Sequence, residues 1–351
     1  MLINNPLYMS DIQKILSAKS SWDTLKNSSF LIVGASGMIG SFLIDTLMTL
    51  NKKEGANIRI GAMGRSISKL KQRFLAYQED ELFTMLEGDI TKGVPTSERF
   101  DYVFHAASNT HPEAYATDPI GTVMTNILGT QQVLDYAVKH QVTRTIFLST
   151  VEVYGEALDN TTSFSETDFG YIDCNTLRAG YSEGKRASEA LCQAYIEQKK
   201  IDVVIPRVCR VFGPTMLLND SKASSQFIMK AARGEDIVLK SKGEQLFSYA
   251  YVADVVDALL FLLLNGQNGQ AYNIASPEFN LQLKELAQSL ATLANTKVIF
   301  DLPTETEAKG FSKVNRALLD TNKIRNLGWQ PIFKLEETLS HTVAIVRENV
   351  L

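Results

Sequence analysis

An α/β fold, a doubly wound parallel sheet with a smaller α+β C-terminal lobe, is predicted by three observations on this 351-residue chain. Apolar runs of strand length alternate with stretches of helical spacing from residue 29 to about residue 206. Such βαβα alternation packs as a parallel sheet with helices on both faces. The first apolar run, Phe30-Leu31-Ile32-Val33, feeds the glycine-rich turn Gly34-Ala35-Ser36-Gly37-Met38-Ile39-Gly40. After Pro206 the alternation loosens into short β pieces mixed with helices.

Residues 1–28 read as an N-terminal helical extension. Asp11 to Ala18 has helical spacing through Ile12, Ile15 and Leu16, and Trp22 and Leu25 are the residues expected to pin it to the body. Residues 29–215 form the Rossmann-type domain. Its strands are expected at 29–33, 57–63, 83–87, 101–105, 144–149 and 202–206, and its helices at 38–50, 66–78, 120–140 and 180–199. Residues 216–351 form the smaller lobe, with an interleaved boundary. Here β pieces are expected at 236–239, 248–251, 271–274 and 298–300, and helices near 223–233, 252–265, 281–293 and 335–348.

Bulk properties narrow the partners. Hydrophobic residues at 45% and charged residues at 21% describe a globular protein. A net charge of -4 gives no basic footprint for nucleic acid. Cys174, Cys192 and Cys209 lack metal-type spacing, which predicts no metal and fits a reducing cytoplasm. No basic stretch followed by an apolar one opens the chain, so no signal peptide is expected. The run Ala258 to Leu264 is too short to cross a bilayer, so no membrane partner is expected.

A glycine turn between strand and helix is a place to lay a pyrophosphate. Gly34 permits the tight turn, Gly37 lets backbone approach the phosphates, and Gly40 lets helix and strand pack closely. The second strand ends Met63-Gly64-Arg65-Ser66. With no carboxylate there to bind ribose hydroxyls, and with a guanidinium and a hydroxyl able to hold a 2′-phosphate, the cofactor is NAD(P), with NADP favoured. Asp89, in Glu87-Gly88-Asp89-Ile90, is placed to accept from the adenine amine, and Ala106, Ala107 and Ser108 end the fourth strand with small residues against which a dinucleotide can lie.

Tyr181 and Lys185 stand four residues apart, on one helix face. A lysine beside a phenol favours the phenolate, which predicts a lowered pKa and a general acid or base usable near neutral pH. Thr150, at a strand's C-terminal end, supplies a hydroxyl for the same substrate oxygen.

These motifs resemble the extended short-chain dehydrogenases/reductases of the nucleotide-sugar epimerase/dehydratase family, over about residues 29 to 335. Thr125-Asn126-Ile127-Leu128-Gly129-Thr130, Val153-Tyr154-Gly155, Phe212-Gly213-Pro214 and Leu327-Gly328-Trp329-Gln330-Pro331 are similar to family landmarks. Ser149 to Gly155, Arg178 to Cys192 and Phe212 to Asp220 resemble UDP-glucuronate decarboxylases. The resemblance implies oxidation of a sugar carbon, usually C4, by tightly bound NAD(P)+, then chemistry on the keto intermediate. It also implies a homodimer through the helices at 120–140 and 180–199, whose apolar faces include Ile127, Val133, Leu134 and Ala137 on one and Ala187, Leu191, Ala194 and Tyr195 on the other. The cofactor-binding set is then Gly34, Ser36, Gly37, Met38, Ile39, Gly40, Arg65, Ser66, Asp89, Ile90, Ala106, Ala107, Ser108, Asn126, Ser149, Tyr181, Lys185, Pro206 and Val208. The catalytic set is Thr150, Glu152, Tyr181 and Lys185.

The departures are informative. In 4,6-dehydratases an Asp-Glu pair follows the threonine; here it is Val151-Glu152, so the acid that expels a hydroxyl is missing, while Glu152 remains to take a proton alpha to a ketone. Two arginines found in many relatives correspond to Phe247 and Gly310, and an asparagine corresponds to Arg210. Cations for a diphosphate are then Arg207, Arg210, Lys222 and Lys240, with Asn109 and His111 as further substrate-side candidates. Two other readings stay open: an NADPH-dependent reductase of a non-nucleotide carbonyl compound, and a non-catalytic dinucleotide sensor. A sensor has no need of a proton relay, which the intact Thr150, Tyr181 and Lys185 argue against.

Overall fold

The computed structural model describes residues 1–18, 22–110, 112–158, 161–302 and 315–350. Its large sheet is parallel throughout and runs β11 (Ala271–Ile274), β7 (Val203–Val208), β5 (Arg144–Phe147), β4 (Tyr102–His105), β1 (Ser29–Val33), β2 (Arg59–Gly64), β3 (Phe83–Glu87), with β6 (Ser149–Thr150) beside β7. All five residues of β1 are buried, as a strand covered on both faces requires. The strand order reverses between β1 and β4, which opens a crevice at the carboxyl ends of the strands.

Helix α1 (Pro6–Ser17) starts five residues before the predicted Asp11, because the Asn5 side chain accepts from the amides of Leu7 and Tyr8 and Pro6 takes the first position. Trp22 and Leu25 are buried as expected, and the Trp22 indole donates to the Leu16 carbonyl. Helix α2 (Met38–Glu54) ends at Gly55, whose positive φ of 58° stops it. Helices α3 (Ile67–Arg73), α4 (Pro112–Thr117), α5 (Pro119–His140) and α6 (Ala179–Lys199) follow. Asp118 caps α5 by accepting from the Gly121 amide, with Pro119 next in line.

Two predictions need correction. The strand expected over 144–149 breaks at Leu148 into β5 and β6, which turns the Leu148 carbonyl toward α6. The piece at 271–274, assigned from sequence to the smaller lobe, joins the large sheet as the parallel partner of β7. Helix α8 (Val252–Asn265) packs under β5 and β7 beside α2, with nearly every side chain buried, so the late chain re-enters the large layer.

The smaller lobe is built on β10 (Leu246–Tyr251), flanked by β12 (Asn280–Gln282), β14 (Arg316–Ala317) and β8 (Arg210–Phe212). A second pair joins β9 (Ile237–Leu239) to β13 (Val298–Phe300). Helices α7 (Ala223–Arg233) and α9 (Leu283–Ala294) cover these strands, α10 (Asn322–Asn326) lies against β11 of the large sheet, and α11 (Leu335–Val350) packs on α7. No helix among the described residues is long and apolar enough to cross a membrane.

Candidate active site

The glycine turn leaves β1 at the crevice, where Gly34 and Gly40 have no room for side chains and Gly37 is tight. Gly34 has φ of +91°, and a Cβ there would lie 2.7 Å from the Ala107 nitrogen. At Gly40 a Cβ would lie 2.6 Å from the Gly34 carbonyl oxygen, and at Gly37 it would lie 3.3 Å from the same atom. Gly37 caps α2 and, being glycine, bonds none of the helix's first amides with a side chain. A shallow backbone cradle at a helix N-terminus fits a pyrophosphate, and the residues here fit a dinucleotide.

Around the cradle, Ser36, Met38 and Ile39 are half-buried on the turn and the first helical residues, and the Met38 carbonyl accepts from the Thr215 hydroxyl at 2.9 Å. Ala106 follows β4, its amide donating to Val33, and Ala107 and Ser108 continue along the floor of the crevice. The Ser108 hydroxyl donates to Asn126 Oδ1, and the Asn126 amide donates to the Thr122 carbonyl, so the buried Asn126 positions Ser108 from below. Ile90 is buried under the crevice against Gly129, and Pro206 and Val208 lie on β7.

At the far end, Arg65 is exposed just after β2. Ser66 caps α3, its hydroxyl accepting from Lys69 at 3.4 Å and lying 2.8 Å from that of Ser68. Glu87, not singled out from the sequence, puts a carboxylate oxygen 2.8 Å from the Ile67 amide in the same corner. Asp89 accepts from the amide and hydroxyl of Thr91, and these bonds, the backbone one first, hold its pKa below the usual carboxylate range.

Thr150 ends β6, and its hydroxyl accepts from the Glu152 amide at 3.3 Å. Tyr181, in the first turn of α6, is buried beside Thr150, near enough for the threonine hydroxyl to act on the phenol. Its pKa is raised rather than lowered, a correction to the sequence reading. Burial of the phenol is the largest cause, the Thr150 hydroxyl works against it, and the Glu152 charge adds to it. Lys185 does stand one turn further on the same helix, but its ammonium donates to the Leu148 carbonyl at 2.7 Å and lies 4.8 Å over the Phe147 ring. Burial lowers its pKa to about 8. His105, beside it, is fully buried and held neutral, with a pKa of about 3 caused by burial and then by the Lys185 charge.

The substrate-side candidates separate. Arg207 does not face a substrate: its guanidinium makes a buried two-point pair with Glu189 at 3.0 and 2.7 Å and donates to Tyr154 and to the Glu166 carbonyl. Strand alternation aims it inward toward α6, where Glu189 also accepts from Ser149. Lys240 is exposed in an ion pair with Asp301 on the β9 side. Lys222 reaches Thr110 at 3.3 Å and Asp220 at 3.4 Å. Arg210 pairs with Glu152 at 3.5 Å and stacks on Phe247. Asn109 is half-buried after β4. His111 and Gly310 lie outside the described residues. Sequence reasoning passed over Tyr115 on α4, whose ring stacks on that of Tyr181 at 5.2 Å and 20°.

Comparison with known proteins decides the family. The profile of the NAD dependent epimerase/dehydratase family matches residues 30–275. The chain belongs to that family. UDP-glucuronic acid decarboxylase 3 of Arabidopsis thaliana is 31% identical, over 94% of this chain and 94% of that one. UDP-glucuronic acid decarboxylase 1 of Xenopus tropicalis is 30% identical, over 91% of this chain and 72% of that one. A solved UDP-glucuronic acid 4-epimerase of Bacillus cereus, in complex with UDP-glucuronic acid and NAD, shares the fold at a TM-score of 0.76 and 21% identity, covering 92% of this chain and 99% of that one. This is an NAD(P)-dependent enzyme of the family whose members epimerise, dehydrate or decarboxylate nucleotide sugars.

Proposed function

We propose that this enzyme oxidises a hydroxyl of a nucleotide-linked sugar, at C4, as the first step of an epimerisation or decarboxylation. The observation that carries this reading is the buried Tyr181 beside Thr150 at the carboxyl end of the sheet, with Lys185 one turn further on the same helix. When bound, NAD(P)+ supplies the hydride acceptor. Tyr181 takes the proton of the hydroxyl being oxidised, Thr150 shares that oxygen, and Lys185 holds positive charge behind the phenol. Glu152 removes or returns a proton alpha to the ketone, or orients a substituent there. Val151 cannot protonate a leaving hydroxyl, which argues against dehydration.

The test is incubation with UDP-, GDP-, CDP- and dTDP-sugars, followed by mass spectrometry and NMR. Loss of carbon dioxide or no mass change with an inverted centre is expected; loss of water contradicts the Val151 argument, and no conversion of any sugar removes the proposal. Exposed Arg65 and the aromatic at position 247 favour a second reading, an NADPH-dependent carbonyl reductase. That enzyme would exchange its cofactor each turnover, whereas a recycling one retains it through purification.

Arg65 supplies the preference for NADP(H). A guanidinium–phosphate contact contributes roughly 1.5–3 kcal/mol, about tenfold or more in affinity. The Glu87 carboxylate opposes a 2′-phosphate, and Ser66 already caps α3, so the preference falls to Arg65. Arg65→Ala is expected to weaken NADP+ binding about tenfold and to change NAD+ binding little. Calorimetry on cofactor-stripped protein checks this, and tighter NAD+ binding by wild type reverses the assignment.

The partner is a second copy of the chain, through α5 and α6 in a cytoplasmic enzyme. Val133, Leu134 and Ala137 are buried, so the exposed apolar residues that remain for a partner include Ile120 at 77% and Met124 at 39% on α5 and Leu177 at 68% just before α6. Light scattering at micromolar concentration is expected to give the dimer mass, and a monomer contradicts the interface.

A further inference from the structure

We infer that Arg210 is the residue that binds the substrate's negative charge, through the amino group of its guanidinium that no described residue pairs. The inference rests on the nucleotide-sugar reading and adds to it the contact that recognises an anion. Arg210 opens β8, and its guanidinium carbon lies 3.5 Å from the centroid of the Phe247 ring on the neighbouring β10. That stacking fixes the plane of the fork and leaves only its edges for hydrogen bonds.

One edge is partly used. Nη2 is 3.5 Å from a carboxylate oxygen of Glu152, at the outer limit of a hydrogen bond. The other is not: Nη1 is buried and has no hydrogen-bond partner among the described residues. Buried charged donors are nearly always satisfied, so an orphan of this kind beside a reactive centre marks the place of a ligand oxygen. The centre is close, because Glu152 follows Thr150 by two residues and its charge acts on Tyr181.

The neighbouring cations are already engaged. Arg207 is held by Glu189, and Lys222 by Asp220 and Thr110. A planar fork with one free edge suits an anion with oxygens to share, which is either a carboxylate on the sugar or a phosphate oxygen of the nucleotide. In either case Glu152 and the ligand share one guanidinium, each on its own edge.

The test is calorimetry on cofactor-loaded wild type, Arg210→Gln and Arg210→Lys with UDP, UDP-glucose and UDP-glucuronate. Arg210→Gln is expected to lose tenfold or more in affinity. An equal loss for all three ligands identifies a phosphate oxygen, and a loss confined to UDP-glucuronate identifies a sugar carboxylate. Arg210→Lys keeps the charge without the fork and is expected to recover part of the loss; should the Gln variant not fold, a weakening in the Lys variant carries the comparison. Wild-type affinity for all three ligands in both variants overturns the role of Arg210 alone. A wild type that binds none of them removes the nucleotide-sugar reading together with this one.

Discussion

Tyr181→Phe is expected to slow substrate oxidation by a factor of about 10² to 10⁴ while leaving dinucleotide binding near that of wild type. The phenol is the only part of the side chain removed. The ring is buried and stacked on Tyr115, and phenylalanine keeps both contacts. What goes is the oxygen that lies beside Thr150 and that would take the proton. Because burial raises the phenol's pKa, it is protonated at neutral pH in this structure, and its ionised fraction grows as pH rises toward that value. The oxidation rate of wild type should therefore rise with pH, and the variant should lose that slope. Stopped-flow absorbance in a single turnover checks both points; a variant with wild-type rate shows that another group is the base.

Asp45→Ala is expected to cost about 3–5 kcal/mol of stability, as when one partner of a buried ion pair is removed. Asp45 is fully buried on α2 and accepts from three donors: the Arg73 guanidinium at 2.5 Å, the Tyr8 hydroxyl at 2.6 Å and the Tyr77 hydroxyl at 2.9 Å. Alanine leaves a largely buried guanidinium and two phenols without their acceptor, and these groups lie on α1, on α3 and in the turn after it. The N-terminal extension and α3 are thus tied to α2 through one carboxylate. Asp45→Asn keeps the shape and should cost less. Urea unfolding monitored by circular dichroism measures the loss, and a change under about 1 kcal/mol would show that the ion pair is dispensable.

The parts of the site carried by local pattern were legible in the sequence. Strand, glycine turn and helix follow one another without interruption at β1 and α2, so periodicity and glycine spacing together specify the cradle. Tyr181 and Lys185 share a helix face by spacing alone. What that spacing cannot tell is where a long side chain ends. Lys185 reaches the Leu148 carbonyl, exposed only because the strand breaks there, and the phenol's pKa rises as a result of burial that no local pattern encodes. Arg207 and Arg210 are three residues apart on strands of different sheets, and nothing in their sequence neighbours says which of them is inside. Glu189, the partner that settles it for Arg207, comes from another element. The apolar piece at 271–274 fits a strand in either sheet, and only its pairing with β7 places it. Tyr115 sits on a six-residue helix too short to show a period.

Reduction of the bound cofactor by a nucleotide sugar is the direct signature of sugar oxidation by this enzyme. Purified protein carrying NAD(P)+ is mixed with each sugar of the panel, and the near-ultraviolet absorbance of reduced nicotinamide is followed through a single turnover. A rise in absorbance is expected with at least one nucleotide sugar, and a return to baseline if the product is a recycled sugar, with both phases lost in Tyr181→Phe. No change with any nucleotide sugar, alongside steady oxidation of NADPH by a simple carbonyl compound, would contradict it.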